Sequence, residues 1–154
     1  MNLVILIGLQ ASGKSTFRRS FLDGTHVVVS KDRLRNNKRP ARRQAQLIEE
    51  ALGEGRDVVV DNTNPTVDER AALIAQARTH GARVIGYYFP SSVADSVKRN
   101  AEREGRERVP DVGIYATAKK LQRPSSAEGF DELHSVTVKE DGGFSIVRFV
   151  QEKQ

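Results

Sequence analysis

The chain has 154 residues, 38% of them hydrophobic and 29% charged, with no cysteine and a formal net charge of +5. That length suits one domain over residues 1–154 with a core of its own, and the missing cysteines exclude disulfides and a thiolate metal site. No apolar run approaches the ~20 residues that cross a bilayer, and the start of the chain lacks the basic segment of a signal peptide. The expectation is therefore a soluble, cytoplasmic protein with no membrane partner, whose positive balance favours a polyanionic one.

Leu3-Val4-Ile5-Leu6-Ile7 is a continuous apolar run and predicts a buried strand. Gly8-Leu9-Gln10-Ala11-Ser12-Gly13-Lys14-Ser15-Thr16 follows directly, and a helix over residues 14–22 comes next. Asp23-Gly24 makes a turn, and His26 to Val29 is a short β-branched strand that delivers Ser30-Lys31-Asp32. Pro40 introduces a helix over residues 41–52, with Ala45, Leu47, Ile48, Ala51 and Leu52 at helical spacing. Asp57-Val58-Val59-Val60-Asp61 reads as a strand buried on both faces. Thr66-Val67-Asp68-Glu69 is a capping box that opens a helix to about His80. Residues 83–89 form a fourth strand, Ser91 or Ser92 caps a helix to about Glu104, and a charged connector leads into a helix over residues 111–122. Residues 135–138 and 144–150 alternate around Asp141-Gly142-Gly143 as an antiparallel hairpin. Four β-α units and a hairpin predict an α/β fold, a parallel sheet with helices on both faces, whose ligands bind beyond the carboxyl ends of the strands.

Residues 8–16 match G-x-x-x-x-G-K-[ST], the phosphate-binding loop, in the strand-loop-helix setting that the motif requires. Gly8 and Gly13 let successive N–H groups turn inward as an anion nest at a helix N-terminus, so the backbone through Ala11 and Ser12 to Thr16 would cradle phosphates. Lys14 would reach the β- and γ-phosphates, and the Ser15 hydroxyl would ligate Mg²⁺. The implied cofactors are ATP, or another NTP, and Mg²⁺.

Three further constellations stand at the same predicted rim. Asp32 ends the strand that leads into the basic run of residues 31–43, where a carboxylate suits general-base work and Arg35 suits phosphate contact; helix capping and surface charge explain them equally well. Asp61, with Asn62, Thr63, Asn64 and Pro65 after it, either holds magnesium or pairs with Arg35, and spacing alone does not choose. Arg99 and Arg103, four apart on the predicted helix, would face one way from a lid over about residues 98–110, unless that helix is simply a salt-bridged surface.

In order, GLQASGKST, SKDRLR, VVVDNTNP, VKRNAEREGRERVP and AEGF resemble the kinase domain of the polynucleotide 5'-hydroxyl kinases, members of the P-loop kinase superfamily, over residues 3–130. The resemblance implies transfer of the ATP γ-phosphate to the 5'-OH end of DNA or RNA. It makes Asp32 the general base, Arg35 the clamp on the acceptor phosphate and Asp61 the partner of that arginine. It puts Arg99 and Arg103 on the donor phosphates, with Lys14 and Arg103 acting in catalysis. Asn64, Val109 and Pro110 fall to the acceptor, the last two near its nucleobase. No D-x-D-x-[TV] phosphatase signature is present, so separate phosphatase or ligase partners are implied. The competing expectation is a small-molecule P-loop kinase acting on a sugar, nucleoside or antibiotic hydroxyl. The basic run argues against it.

Overall fold

The computed structural model describes residues 1–149. Six strands, β1 (Asn2–Gly8), β2 (Val27–Val29), β3 (Val58–Asp61), β4 (Arg83–Phe89), β5 (Glu132–Val138) and β6 (Phe144–Arg148), form one sheet in the order β2-β3-β1-β4-β5-β6. Every neighbouring pair is parallel except β5 with β6. Five α-helices connect them: α1 (Lys14–Phe21), α2 (Pro40–Gly53), α3 (Val67–Thr79), α4 (Val93–Ala101) and α5 (Asp111–Lys120).

The apolar runs become strands covered on both faces because side chains alternate across the sheet. Leu3, Ile5 and Ile7 of β1, with Val58, Val60 and Val84, pack against Ile48, Ala51 and Leu52 of α2 and Leu73, Ile74 and Ala77 of α3. Val4, Leu6, Val59, Phe89 and Val136 face the other way, onto Phe17 and Leu22 at α1. Helices therefore cover both faces, as the sequence predicts. Pro40 occupies the first turn of α2, and the Thr66–Glu69 capping box closes the N-terminus of α3. Because β1 to β4 run parallel, the phosphate loop, the segment after β2 and the loop after β3 all leave the sheet at one edge.

Three boundaries differ from the sequence expectation. Helix α4 stops at Ala101 and not near Glu104, because the Asn100 side chain draws Val109 back onto the helix end and the intervening chain must leave the helical path. Helix α5 stops at Lys120, where the Gln122 N–H donates to the Pro65 carbonyl instead of continuing the helix. Strand β5 starts at Glu132, ahead of the expected Ser135, because its first half pairs with β4 before its second half meets β6. The hairpin forms as expected through Arg148, and the expected strand end at Val150 lies outside the described residues.

Candidate active site

The loop between β1 and α1 is shaped by close approach. A Cβ on Gly8 would stand 2.9 Å from the Phe89 carbonyl oxygen, and one on Gly13, at φ +103°, would stand 2.8 Å from Val138 of β5. Only glycine fits both positions. Between them Ala11 also adopts a left-handed conformation, φ +60°, in keeping with backbone N–H groups turned inward as a nest. The Gly8 N–H donates to the Thr63 carbonyl at 3.0 Å, which ties the loop to the segment after β3. Ser12 is buried, and Thr16 is exposed on the first turn of α1.

Lys14 is buried under this loop, its ammonium donating to the carbonyls of Gly8 at 2.8 Å and Leu9 at 2.6 Å. Burial pulls its pKa down to about 8. The carboxylates of Asp61 and Asp32 oppose that shift, and the Arg103 guanidinium adds to it. These four charged groups therefore share one electrostatic neighbourhood. A phosphate entering the nest would supply the counter-charge that burial denies Lys14.

Asp61 ends β3 beside α1. Its Oδ2 accepts from the Ser15 hydroxyl at 2.9 Å and from Arg18 Nε at 2.8 Å, and Arg18 also reaches Asp23 at 2.6 Å. The pairing of Asp61 with Arg35 implied by the resemblance is thus corrected to a pairing with Arg18. Physically, Arg18 lies three residues after Ser15 on the same helix face and reaches Asp61 from a largely buried position, whereas Arg35 is exposed. Magnesium requires hard oxygen ligands and keeps several waters or phosphate oxygens. The Ser15 hydroxyl and the Asp61 carboxylate supply such oxygens at the loop, and the described residues hold no group of three or more His, Cys, Asp or Glu that would form an all-protein cage. The donor set fits that ion.

Asp32 sits in a short 3-10 turn, Lys31–Leu34, capped by the Ser30 hydroxyl, which accepts from the Asp32 N–H at 3.2 Å. Its carboxylate is 88% exposed, and Arg35 stands beside it at 3.9 Å. The turn is held from the other side by Asn62, which accepts from the Lys31 N–H at 2.8 Å and donates to Gln44 at 2.7 Å. Asp32, Asp61, Gln10, Gln44, Asn62 and Val109 are among the walls of one cavity of about 440 Å³ at the edge of the sheet. Asn64, expected at the acceptor, also borders this cavity, but its side chain is committed elsewhere. At φ +43° it is buried, and its amide donates to the Leu6 carbonyl at 2.7 Å, so it locks the loop after β3 onto β1.

The expected lid, about residues 98–110, takes in the end of α4 and the stretch that leads to α5. Arg103 lies beyond the end of α4, so the expected single helical face for Arg99 and Arg103 does not form. Arg103 is nevertheless the one of the two whose charge bears on Lys14, and burial lowers its own pKa, with Glu107, Asp61 and Asp32 acting in the opposite sense. Its guanidinium donates to the Glu107 carbonyl at 3.0 Å. Arg99 is half-buried in the last turn of α4; Val109 walls the cavity, and Pro110 is exposed at the N-cap of α5.

Sequence reasoning missed Arg18, Gln10 and Asn100. Arg18 was legible from its helical spacing to Ser15. Gln10 donates to Thr117 of α5 at 3.0 Å across 107 residues, a contact that no local pattern announces.

The chain also has measurable kin. The AAA domain family matches residues 3–124. The bifunctional polynucleotide phosphatase/kinase of Schizosaccharomyces pombe is 27% identical over 143 residues, covering 89% of this chain and 34% of that protein. The L-seryl-tRNA(Sec) kinase of Methanococcus maripaludis is 27% identical over 152 residues, covering 88% of this chain and 58% of that protein. The chain thus spans about a third of the first relative and somewhat over half of the second. In fold, it is similar to Chaetomium thermophilum Kti12 in complex with ADP-AlF3, with a TM-score of 0.70, 16% identity, and 91% of this chain and 92% of that one covered. With its phosphate loop, its mostly parallel sheet and a family match over residues 3–124, the chain belongs to the AAA domain family and has a P-loop kinase-like α/β fold.

Proposed function

We propose that the chain transfers the γ-phosphate of ATP to the 5'-hydroxyl end of a DNA or RNA strand. The observation that carries the reading is the cavity that Asp32 and Asp61 share beside the phosphate loop, with the basic run bridging its walls from Asp32 to Ala41. Arg33, Arg35, Lys38, Arg39 and Arg42 are exposed along or beside that bridge, and among the described residues only Arg35 has an acidic partner, at 3.9 Å. Such a cluster suits a phosphodiester backbone that leads its terminal hydroxyl inward. The similarity to a polynucleotide phosphatase/kinase adds to this reading.

In the proposed step, Lys14 and Arg103 hold the donor phosphates, with Arg99 in support. Arg35 holds the acceptor phosphate, and Val109 and Pro110 border its terminal base. The 5'-oxygen forms a bond to the γ-phosphorus while the bond from that phosphorus to the β-γ bridging oxygen breaks. The hydroxyl proton passes to the Asp32 carboxylate, and ADP leaves with the bridging oxygen. Positioning supplies most of the rate in such transfers. Ser15 and Asp61 would hold magnesium, which would supply charge neutralisation at the donor phosphates. The expected compartment is the cytoplasm.

Transfer of labelled phosphate from ATP to 5'-hydroxyl DNA and RNA oligonucleotides, side by side, tests the reading. A labelled 5'-phosphate on either acceptor is expected; no label on both, with ATP still bound, overturns it.

One observation favours a second reading, a small-molecule hydroxyl acceptor. The cavity walls carry three carboxylates, Asp32, Asp61 and Glu69, against the single ammonium of Lys31, a lining suited to an uncharged polar body. Salt separates the two, because single-strand binding weakens with log salt at a slope of ~0.7 per neutralised phosphate, whereas a neutral acceptor shows no comparable dependence.

A further inference from the structure

The side chain of Asn100 is fully buried, and every polar group it has is used on the far end of the lid. Its amide nitrogen donates to the Val109 carbonyl at 2.6 Å and to Asp111 Oδ1 at 3.1 Å, while its amide oxygen accepts from the Val109 N–H at 3.0 Å. One side chain therefore closes the loop from Ala101 to Pro110 at its base. Arg103 hangs within that loop, and its guanidinium bonds back to the Glu107 carbonyl at 3.0 Å. The element beyond the loop is fastened in turn to the phosphate loop, since Gln10 donates to Thr117 and to the Gly113 carbonyl of α5, at 3.0 and 3.4 Å.

We infer that Asn100 is a positioning residue for the lid: by clamping Val109 and Asp111 to the end of α4, it sets both the reach of Arg103 over the donor phosphates and the placing of Val109 on the cavity wall. A ten-residue loop closed only by backbone turns would spread Arg103 over many positions, and fixing its two ends removes most of that freedom before nucleotide arrives. The side-chain type matters. An amide presents a donor and an acceptor to the two backbone groups of one residue, the Val109 C=O and N–H, and neither a carboxylate nor an apolar residue of the same size does so.

The inference rests on the proposal that Arg103 meets the donor phosphates, and it is tested without any acceptor. The full chain is titrated with the non-hydrolysable ATP analogue AMPPNP and magnesium, as parent, as Asn100→Asp, as Arg103→Ala and as the double variant. Asn100→Asp keeps the size and the acceptor for the Val109 N–H but turns an oxygen toward the Val109 carbonyl. Each single change is expected to weaken binding about tenfold, the scale of a lost charge-assisted phosphate contact. The double variant is expected to bind within about twofold of Arg103→Ala, because a clamp with no arginine to place has nothing left to contribute. Losses that multiply, parent-like binding by Asn100→Asp, or parent-like binding by Arg103→Ala each overturn the inference. Should Asn100→Asp fail to fold, Asn100→Ala runs the same cycle. If the cycle behaves as expected while 5'-hydroxyl oligonucleotides receive no phosphate, the acceptor reading falls and the role of Asn100 stands.

Discussion

Removing the Glu128 carboxylate tests what holds the loop after β3 in place. Arg70 of α3 is completely buried, and its guanidinium donates to Glu128 at 2.8 and 3.2 Å and to the Asn64 carbonyl at 2.9 Å. Glu128, itself 8% exposed, also accepts from the Ser125 N–H at 2.8 Å. In Glu128→Ala the guanidinium keeps one partner and stays buried. An orphaned buried charge costs about 3 to 5 kcal/mol, a large share of the ~5 to 15 kcal/mol that holds a domain together. For a chain of this size that corresponds to a melting point lower by roughly 8 to 15 °C. Urea unfolding, followed by circular dichroism, gives the free energy directly. The double variant Arg70→Met with Glu128→Leu supplies the decisive comparison. If the penalty comes from the stranded charge, replacing both partners with apolar groups costs less than Glu128→Ala alone. A Glu128→Ala protein within about 1 kcal/mol of the parent, or a double variant that is the less stable of the two, refutes the reasoning.

Three other outcomes follow from the site. Asp32→Ala is expected to lower kcat by ~10² to 10⁴ in the oligonucleotide assay while ATP affinity stays near the parent's, and parent-like turnover removes Asp32 as proton acceptor. Lys14 titrates near pH 8 in the free protein, below its ordinary 10.5, and bound phosphate restores its charge; ATP added without divalent metal near pH 8 is therefore expected to take up about half a proton. Calorimetry in buffers of different ionisation enthalpy reads that uptake, Lys14→Arg is expected to abolish it, and proton release in the parent contradicts the assignment. Gly13→Ala forces a methyl to within 2.8 Å of Val138 at a φ of +103°, so nucleotide binding is expected to be lost together with about 1 to 3 kcal/mol of stability, measured by calorimetry and urea unfolding.

Much of this architecture was written in local pattern. The apolar runs at residues 3–7 and 58–60, the Thr66 capping box and Pro40 at the start of α2 state their structures directly, because strand burial and helix capping depend on neighbours a few residues away. The phosphate loop was legible for the same reason, since its nest is made by consecutive backbone groups. The parallel direction of β1, β2 and β3 then brings Asp32 and Asp61 to one edge, which is why a strand reading also located the cavity. What the sequence left open were the partners of long side chains. Asp61 had two candidate roles, and the choice of Arg18 over Arg35 depends on which guanidinium lies buried beside it once α1 packs on β3. Asn64 reads as available to an acceptor, whereas its amide donates to the Leu6 carbonyl, and Arg103 lies beyond the expected helix because Asn100 draws Val109 back onto the helix end. Those contacts join residues far apart in the chain, or compete with the local preference of a helix to continue. Their outcome is decided by desolvation and hydrogen-bond completion in the packed molecule, which no short window of sequence contains.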